Sequence, residues 1–177
     1  MRVRDAHAHG DGRALDVAFV ERMLFEAFFW RPDAERPSLD AFRDREPEHR
    51  KLLRDLGARA GDCIAVAEGD AGERLGAAWY RFWTAAEHSY GWVAADVPEL
   101  AIAVEAAARG RGIGRALMEA LVARARERGV RALSLSVDPE NRAIALYRSL
   151  GFREVGRVGT SLTLVLEIGR GPYAARG

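Results

Sequence analysis

Arg109-Gly110-Arg111-Gly112-Ile113-Gly114-Arg115 sets glycines and arginines alternately along one short stretch, a composition suited to a backbone that meets an anion. Glycine has no Cβ to hold a phosphate away, and arginine adds charge without competing for the same space. The apolar run Leu100–Val104 ahead of it has the length and branching of a strand. Behind it, Ile113, Leu117 and Leu121 recur at helical spacing down to Gly129. The turn therefore opens a helix, where N–H groups without intrahelical partners and the positive end of the dipole attract anionic oxygens. The chemistry this predicts is the binding of a nucleotide-bearing ligand by its phosphates.

A second constellation follows a strand predicted over Val130 to Val137. It is Asn141-Arg142-Ala143-Ile144-Ala145-Leu146-Tyr147-Arg148-Ser149-Leu150-Gly151-Phe152, with Ile144, Tyr147 and Leu150 on one helical face. Arg109, Gly112 and Gly114 match the Arg/Gln-x-x-Gly-x-Gly/Ala signature of the GNAT superfamily of N-acetyltransferases, which this segment resembles. Asn141, Tyr147 and Leu150-Gly151-Phe152 match that family's second signature in full, in the right order after the first.

The resemblance implies an α/β (α+β) fold of GNAT type. In it a twisted mixed sheet carries helices on both faces, and its central parallel pair, here Leu100–Val104 and Val130–Val137, splays apart. It implies acetyl-CoA as co-substrate and a primary amine of a small molecule or protein as acceptor, with no metal. Arg109, Gly110, Arg111, Gly112, Ile113, Gly114 and Arg115 would hold the pyrophosphate, mainly through backbone N–H groups. The backbone of Ile102, Ala103 and Val104 would pair with the pantetheine arm, and the N–H at Val104 would face the oxyanion that develops on the thioester. Tyr147 stands where the family has the acid that protonates the departing thiolate, while Asn141 caps its helix, reaches the cofactor, or does both. The base is less direct: in related enzymes a catalytic Glu lies at the position held here by Pro98. Glu99 follows it at the start of the strand, with His88, Tyr90 and Asp96 as alternatives from the preceding loop.

The elements needed to position these groups are legible along the chain. Residues 2–6 suit an edge strand. A helix beginning at Asp11 or Asp16 would carry Val20, Leu24, Phe25, Phe28 and Phe29, with Pro32 and Pro37 ending it. Ser38 would cap a second through Phe42, and Pro47 would open a third carrying Leu52, Leu53 and Leu56. Strands are predicted at Cys63–Glu68 and Leu75–Trp83, joined through the Gly69–Gly72 turn, with Leu75, Ala77, Trp79, Arg81 and Trp83 sharing a face. Thr84–Pro98 reads as a loop, Arg153–Val158 and Ser161–Glu167 as a final hairpin. Residues 1–168 form a single domain in this reading, with 169–177 a disordered tail. Phe28, Phe29, Trp30, Trp79, Trp83 and Trp92 either line an acceptor pocket or pack as core.

With 177 residues, 49% of them hydrophobic and 30% charged, the chain has the composition of a globular domain. No apolar run is long enough to span a membrane, and Met1–Asp5 lacks the apolar core of a signal peptide, so a cytoplasmic location is expected. The lone Cys63 permits no internal disulfide. Residues 1–100 carry 14 basic and 19 acidic groups and residues 101–177 carry 13 and 7, a basic second part that suits a polyphosphate ligand. No run of basic residues interleaved with exposed aromatics points to nucleic acid.

Rival chemistries fit less well. A dinucleotide fingerprint needs a third glycine where Arg115 or Leu117 stands, and a P-loop needs Gly-Lys-Ser/Thr after the glycines. His7 and His9 could share a strand face, but only His49 and His88 remain to complete a metal site. From another class, the same fold could sense acyl-CoA without turnover, although a sensor has no need of a leaving-group acid at Tyr147. A homodimer is compatible with all of this.

Overall fold

Cys63–Glu68 and Arg74–Arg81 are apolar on both faces, and in the computed structural model they form β2 and β3, buried along nearly their whole length. At the turn between them Gly69 N–H donates to Glu73 O at 2.9 Å. Gly72 has φ of 83°, a left-handed value that costs glycine little. The structure describes residues 1–6, 17–31, 33–45 and 51–169. The predicted helix start at Asp11 or Asp16, the third-helix start at Pro47, His7, His9 and His49, and all but the first residue of the predicted tail lie outside them.

Two compact units divide the chain: Met1–Trp79 with Ala101–Met118, and Tyr80–Leu100 with Glu119–Gly177. The boundary cuts β3, β4 (Glu99–Val104) and the Ile113–Glu127 helix, each of which contributes residues to both.

In the first unit the strand order is β1 (Arg2–Asp5), β2, β3, β4. The edge strand β1 runs antiparallel to β2 from Arg2↔Glu68 to Asp5↔Ala65. The Val17–Phe28 helix buries Phe19, Val20, Met23 and Leu24, the stripe expected of an amphipathic helix. Ser38 Oγ accepts the Ala41 N–H at 3.1 Å and caps the Leu39–Arg45 helix as its sequence predicts. Phe42 on that helix meets Phe25 edge-on, with ring centroids 5.3 Å apart, and Phe28 and Phe29 pack around it. Those two phenylalanines and Trp79 therefore belong with the core. At Gly76 a Cβ would lie 2.7 Å from Ala103 O and 3.2 Å from Leu117 Cδ1, so β3 needs a glycine where it meets β4 and the helix start.

The second unit has the order β4, β5 (Ala132–Val137), β7 (Ser161–Glu167), β6 (Arg153–Val158). β4 pairs with β5 in parallel at Glu99↔Ser134, and β5 pairs with β7 antiparallel from Ala132↔Glu167 to Val137↔Leu162, so this part of the sheet is mixed. The predicted β6–β7 hairpin forms, with a bulge between Glu154 and Gly156. Thr84–Pro98 has no strand beyond one bridge, Ala94↔Val97. Gly129, at φ 70°, ends the Ile113–Glu127 helix: its N–H donates to Arg126 O and the Val130 N–H donates to Ala125 O.

β1 is tied to β2 by charge as well as by backbone. Glu68, almost wholly buried, accepts hydrogen bonds from Arg4 Nε and, at 2.9 Å, from Arg2. Burial raises its carboxyl, but the hydrogen bonds and charges of Arg4 and Arg2 outweigh that and hold it below the usual glutamate range. A depressed folded value means the stabilisation is present above the unfolded pKa and is lost as pH falls through the folded one. Glu68→Gln is therefore expected to lower stability by about 1–3 kcal/mol at neutral pH, with the gap to wild type closing in acid. Thermal unfolding across a pH series measures this, and a gap that stays constant into acid contradicts it.

Candidate active site

Two features of β4 fix the direction of its backbone groups. Pro98 O accepts the Ser134 N–H at 3.1 Å on one edge, and Glu105 N–H donates to Leu75 O at 2.9 Å on the other. Backbone groups alternate between edges along a strand, so those of Ile102 and Val104 share the edge used by Pro98 O, and Ala103 faces β3. Ala103 is buried in the core of the first unit. On that shared edge Val104 O accepts Arg109 Nε–H at 3.1 Å.

Arg109 is thus engaged by protein groups. Its second nitrogen donates to Glu26 Oε2 at 2.6 Å, and Glu26, on the Val17–Phe28 helix, also pairs with Arg36. The signature arginine ties the end of β4 to that helix.

Ala106–Ala108 form one 3₁₀ turn, and the chain then reverses through Gly110 and Gly112 at φ 76° and 79°. Nothing lies within 4 Å of where a Cβ would stand at either position. Open space together with left-handed backbone leaves a bare main-chain surface. Gly112 O accepts the Ala116 N–H at 3.1 Å, the first rung of the helix ladder, so the N–H groups of Ile113, Gly114 and Arg115 precede any intrahelical acceptor. Ile113 buries its side chain, while Arg111 and Arg115 are exposed. Asp70 is held below the usual aspartate range first by its hydrogen bond from the N-terminal ammonium, at 2.6 Å, and lastly by the charge of Arg111.

Asn141, Tyr147, Glu99 and the loop ahead of Glu99 belong to the second unit. Asp138 O accepts the Asn141 N–H, and Asn141 Oδ1 accepts the Ala143 N–H at 2.9 Å, so Asn141 serves the start of the Ala143–Ser149 helix. At the other end, Gly151 adopts φ 96°, its N–H donates to Arg148 O at 3.0 Å, and the Phe152 N–H donates to Tyr147 O at 3.1 Å. This is a Schellman cap, and the apolar contact that accompanies it is Phe152 against the Tyr147 ring, with centroids 5.9 Å apart. Leu150-Gly151-Phe152 is therefore the device that fixes Tyr147. Tyr147 is buried, and desolvation pushes its phenol above the ordinary tyrosine value. It stays protonated, and is a hydrogen-bond donor, across the neutral range.

Glu99 Oε1 accepts the Gly91 N–H at 2.8 Å. Of the alternatives in the preceding loop, Asp96 forms a two-pronged pair with Arg131 at 2.5 and 2.9 Å, and that hydrogen-bonded pair holds its carboxyl below the usual range. His88 Nδ1 lies 2.9 Å from Ser89 O and its ring stacks on Trp92 at 4.8 Å, while Tyr90 is exposed. Trp83 is buried beside the Arg81 guanidinium, and Arg31 lies over Trp30. Sequence reasoning passed over Glu26 and Gly91. Neither contact leaves a spacing or periodicity in the sequence.

Comparison with known proteins agrees with these motifs. Residues 21–152 match the model of the acetyltransferase (GNAT) family. L-methionine sulfoximine/L-methionine sulfone acetyltransferase of Pseudomonas aeruginosa is 37% identical over 111 residues, 62% of this chain and 62% of that protein. The chain thus spans less than two thirds of that relative's length. Ribosomal-protein-alanine N-acetyltransferase from Brucella melitensis superposes with a TM-score of 0.61 at 28% identity, covering 94% of this chain and 99% of the other. Phosphinothricin acetyltransferase from Sinorhizobium meliloti, solved in complex with AcCoA, shares the fold, with a TM-score of 0.65 at 21% identity over 99% of this chain and 92% of the other. With a family match across well over half of its residues, this chain belongs to the GNAT family of acetyltransferases.

Proposed function

We propose that this chain transfers the acetyl group of acetyl-CoA to a primary amine of a small molecule or protein. The observation that carries the reading is the turn from Arg109 to Arg115. Its two left-handed glycines have open space where side chains would stand, ahead of helix N–H groups with no acceptor in the helix. The acetyltransferase activity named for its relatives, and AcCoA in the structurally similar phosphinothricin enzyme, support the same reading.

In this reading the backbone of Gly110, Arg111, Gly112, Ile113, Gly114 and Arg115 binds the diphosphate, and Arg109 holds Val104 and the turn in place. Ile102 and Val104 pair with the pantetheine amides along the edge of β4, and Ala103 keeps that strand against the core. Asn141 caps its helix through Oδ1 and offers its amide nitrogen to the cofactor.

The amine must lose a proton to attack, since an alkyl ammonium has a pKa of about 10.4. Its nitrogen bonds to the thioester carbonyl carbon, the C–S bond breaks, and the amine proton passes to Glu99 directly or through water. The Val104 N–H faces the oxyanion. Tyr147 donates to the sulfur as thiolate develops, and burial, which raises its phenol, favours the protonated form that can donate. We further take residues 1–168 as one domain acting in the cytoplasm, without nucleic-acid or membrane partners and compatible with a homodimer. Among the described residues no helix is long and apolar enough to cross a membrane.

Thiol release from acetyl-CoA with a panel of amines, L-methionine sulfoximine, phosphinothricin and an N-terminal alanine peptide among them, is expected for at least one acceptor. Binding of acetyl-CoA with no release from any amine would favour a sensor of the same fold. Gly112→Asp forces a side chain and a negative charge into the turn, and calorimetry should show acetyl-CoA binding weakened by about a hundredfold; unchanged affinity excludes the cradle. Tyr147→Phe should cut kcat by about a hundredfold while acetyl-CoA affinity holds, and undiminished turnover removes Tyr147 from the reaction.

A further inference from the structure

Gly91 is buried against the backbone of β5, where no other residue fits. A Cβ there would lie 2.5 Å from Leu135 C, 2.6 Å from Ser136 N and 2.9 Å from Glu99 Oε1. The need is for close approach, since its φ is not left-handed. Because the approach is so close, the Gly91 N–H reaches Glu99 Oε1 at 2.8 Å, a hydrogen bond to a charged acceptor. The segment that carries Gly91 is braced on both sides. Asp96 is clamped by Arg131 and Ala94 bridges Val97 toward β4, while Trp92, next to Gly91, stacks on His88 with ring planes 20° apart. Glu99 itself is set by its register with Ser134. A glutamate side chain left to itself samples many rotamers, and a proton acceptor that must meet a bound amine loses rate for each one that points elsewhere.

We propose that Gly91 is a positioning residue: its N–H, brought in by the missing Cβ, fixes the plane of the Glu99 carboxylate that receives the amine proton. The inference rests on the reading of Glu99 as that acceptor. Steady-state kinetics of the intact chain with the best amine of the panel test it as a cycle of Gly91→Ala, Glu99→Gln and the double variant. Gly91→Ala is expected to lower kcat by about ten- to a hundredfold with KM for the amine within about twofold, and the double variant to be no slower than Glu99→Gln alone. A slow Glu99→Gln beside a Gly91→Ala at full rate, or losses that multiply in the double variant, overturns the proposal. Full turnover by Glu99→Gln removes the reading of Glu99 and the proposal with it. Should Gly91→Ala not fold, the Gly91 amide resonance in the intact chain is expected to move as Glu99 titrates and to shift in Glu99→Gln. A resonance indifferent to Glu99 overturns the proposal equally.

Discussion

A helix that begins with bare backbone is the constraint on which the account depends. Four N–H groups at any helix start lack partners, and most helices satisfy some of them with a capping side chain. Here the residue ahead of the helix is Gly112, which has no side chain to spend on that task, and Gly110 before it is turned through the same left-handed region. The chain thus forgoes a cap and leaves that main-chain surface bare. Charge stays close by without filling it, because Arg109 is drawn back onto Val104 O and Glu26. That contact also joins the cradle to the strand edge where Ile102 and Val104 present their polar groups.

The second unit answers a different requirement, a single phenol held still. Gly151 and Phe152 close the helix after Tyr147 through a six-to-one hydrogen bond and a ring contact, so Tyr147 is fixed by its own carbonyl and its own ring. Burial then keeps the phenol protonated. Both signatures of the family are, in physical terms, the two ends of helices: an N-terminus without a capping side chain and a C-terminus closed by a Schellman cap.

That explains what could be read from the sequence. Devices made by neighbouring residues were legible: the glycine turn, the Ser38 cap, the Gly129 stop, the β6–β7 hairpin, and Asn141 at its helix start. Contacts between residues remote in the chain were not. Glu26 reaches Arg109, Arg131 pairs with Asp96, and Gly91 meets Glu99, and none of these leaves a periodicity or spacing to find. The aromatics left open as pocket or core divided for a similar reason. Phe28, Phe29 and Trp79 join the core through Phe42 and β3, a partnership that only the tertiary structure defines.

A crystal structure of the intact chain grown with acetyl-CoA tests the central claim most directly. The account predicts diphosphate oxygens within about 3 Å of the N–H groups from Gly112 to Arg115, and pantetheine amides paired with Ile102 and Val104. A diphosphate bound anywhere else, with those N–H groups left to solvent, would contradict it.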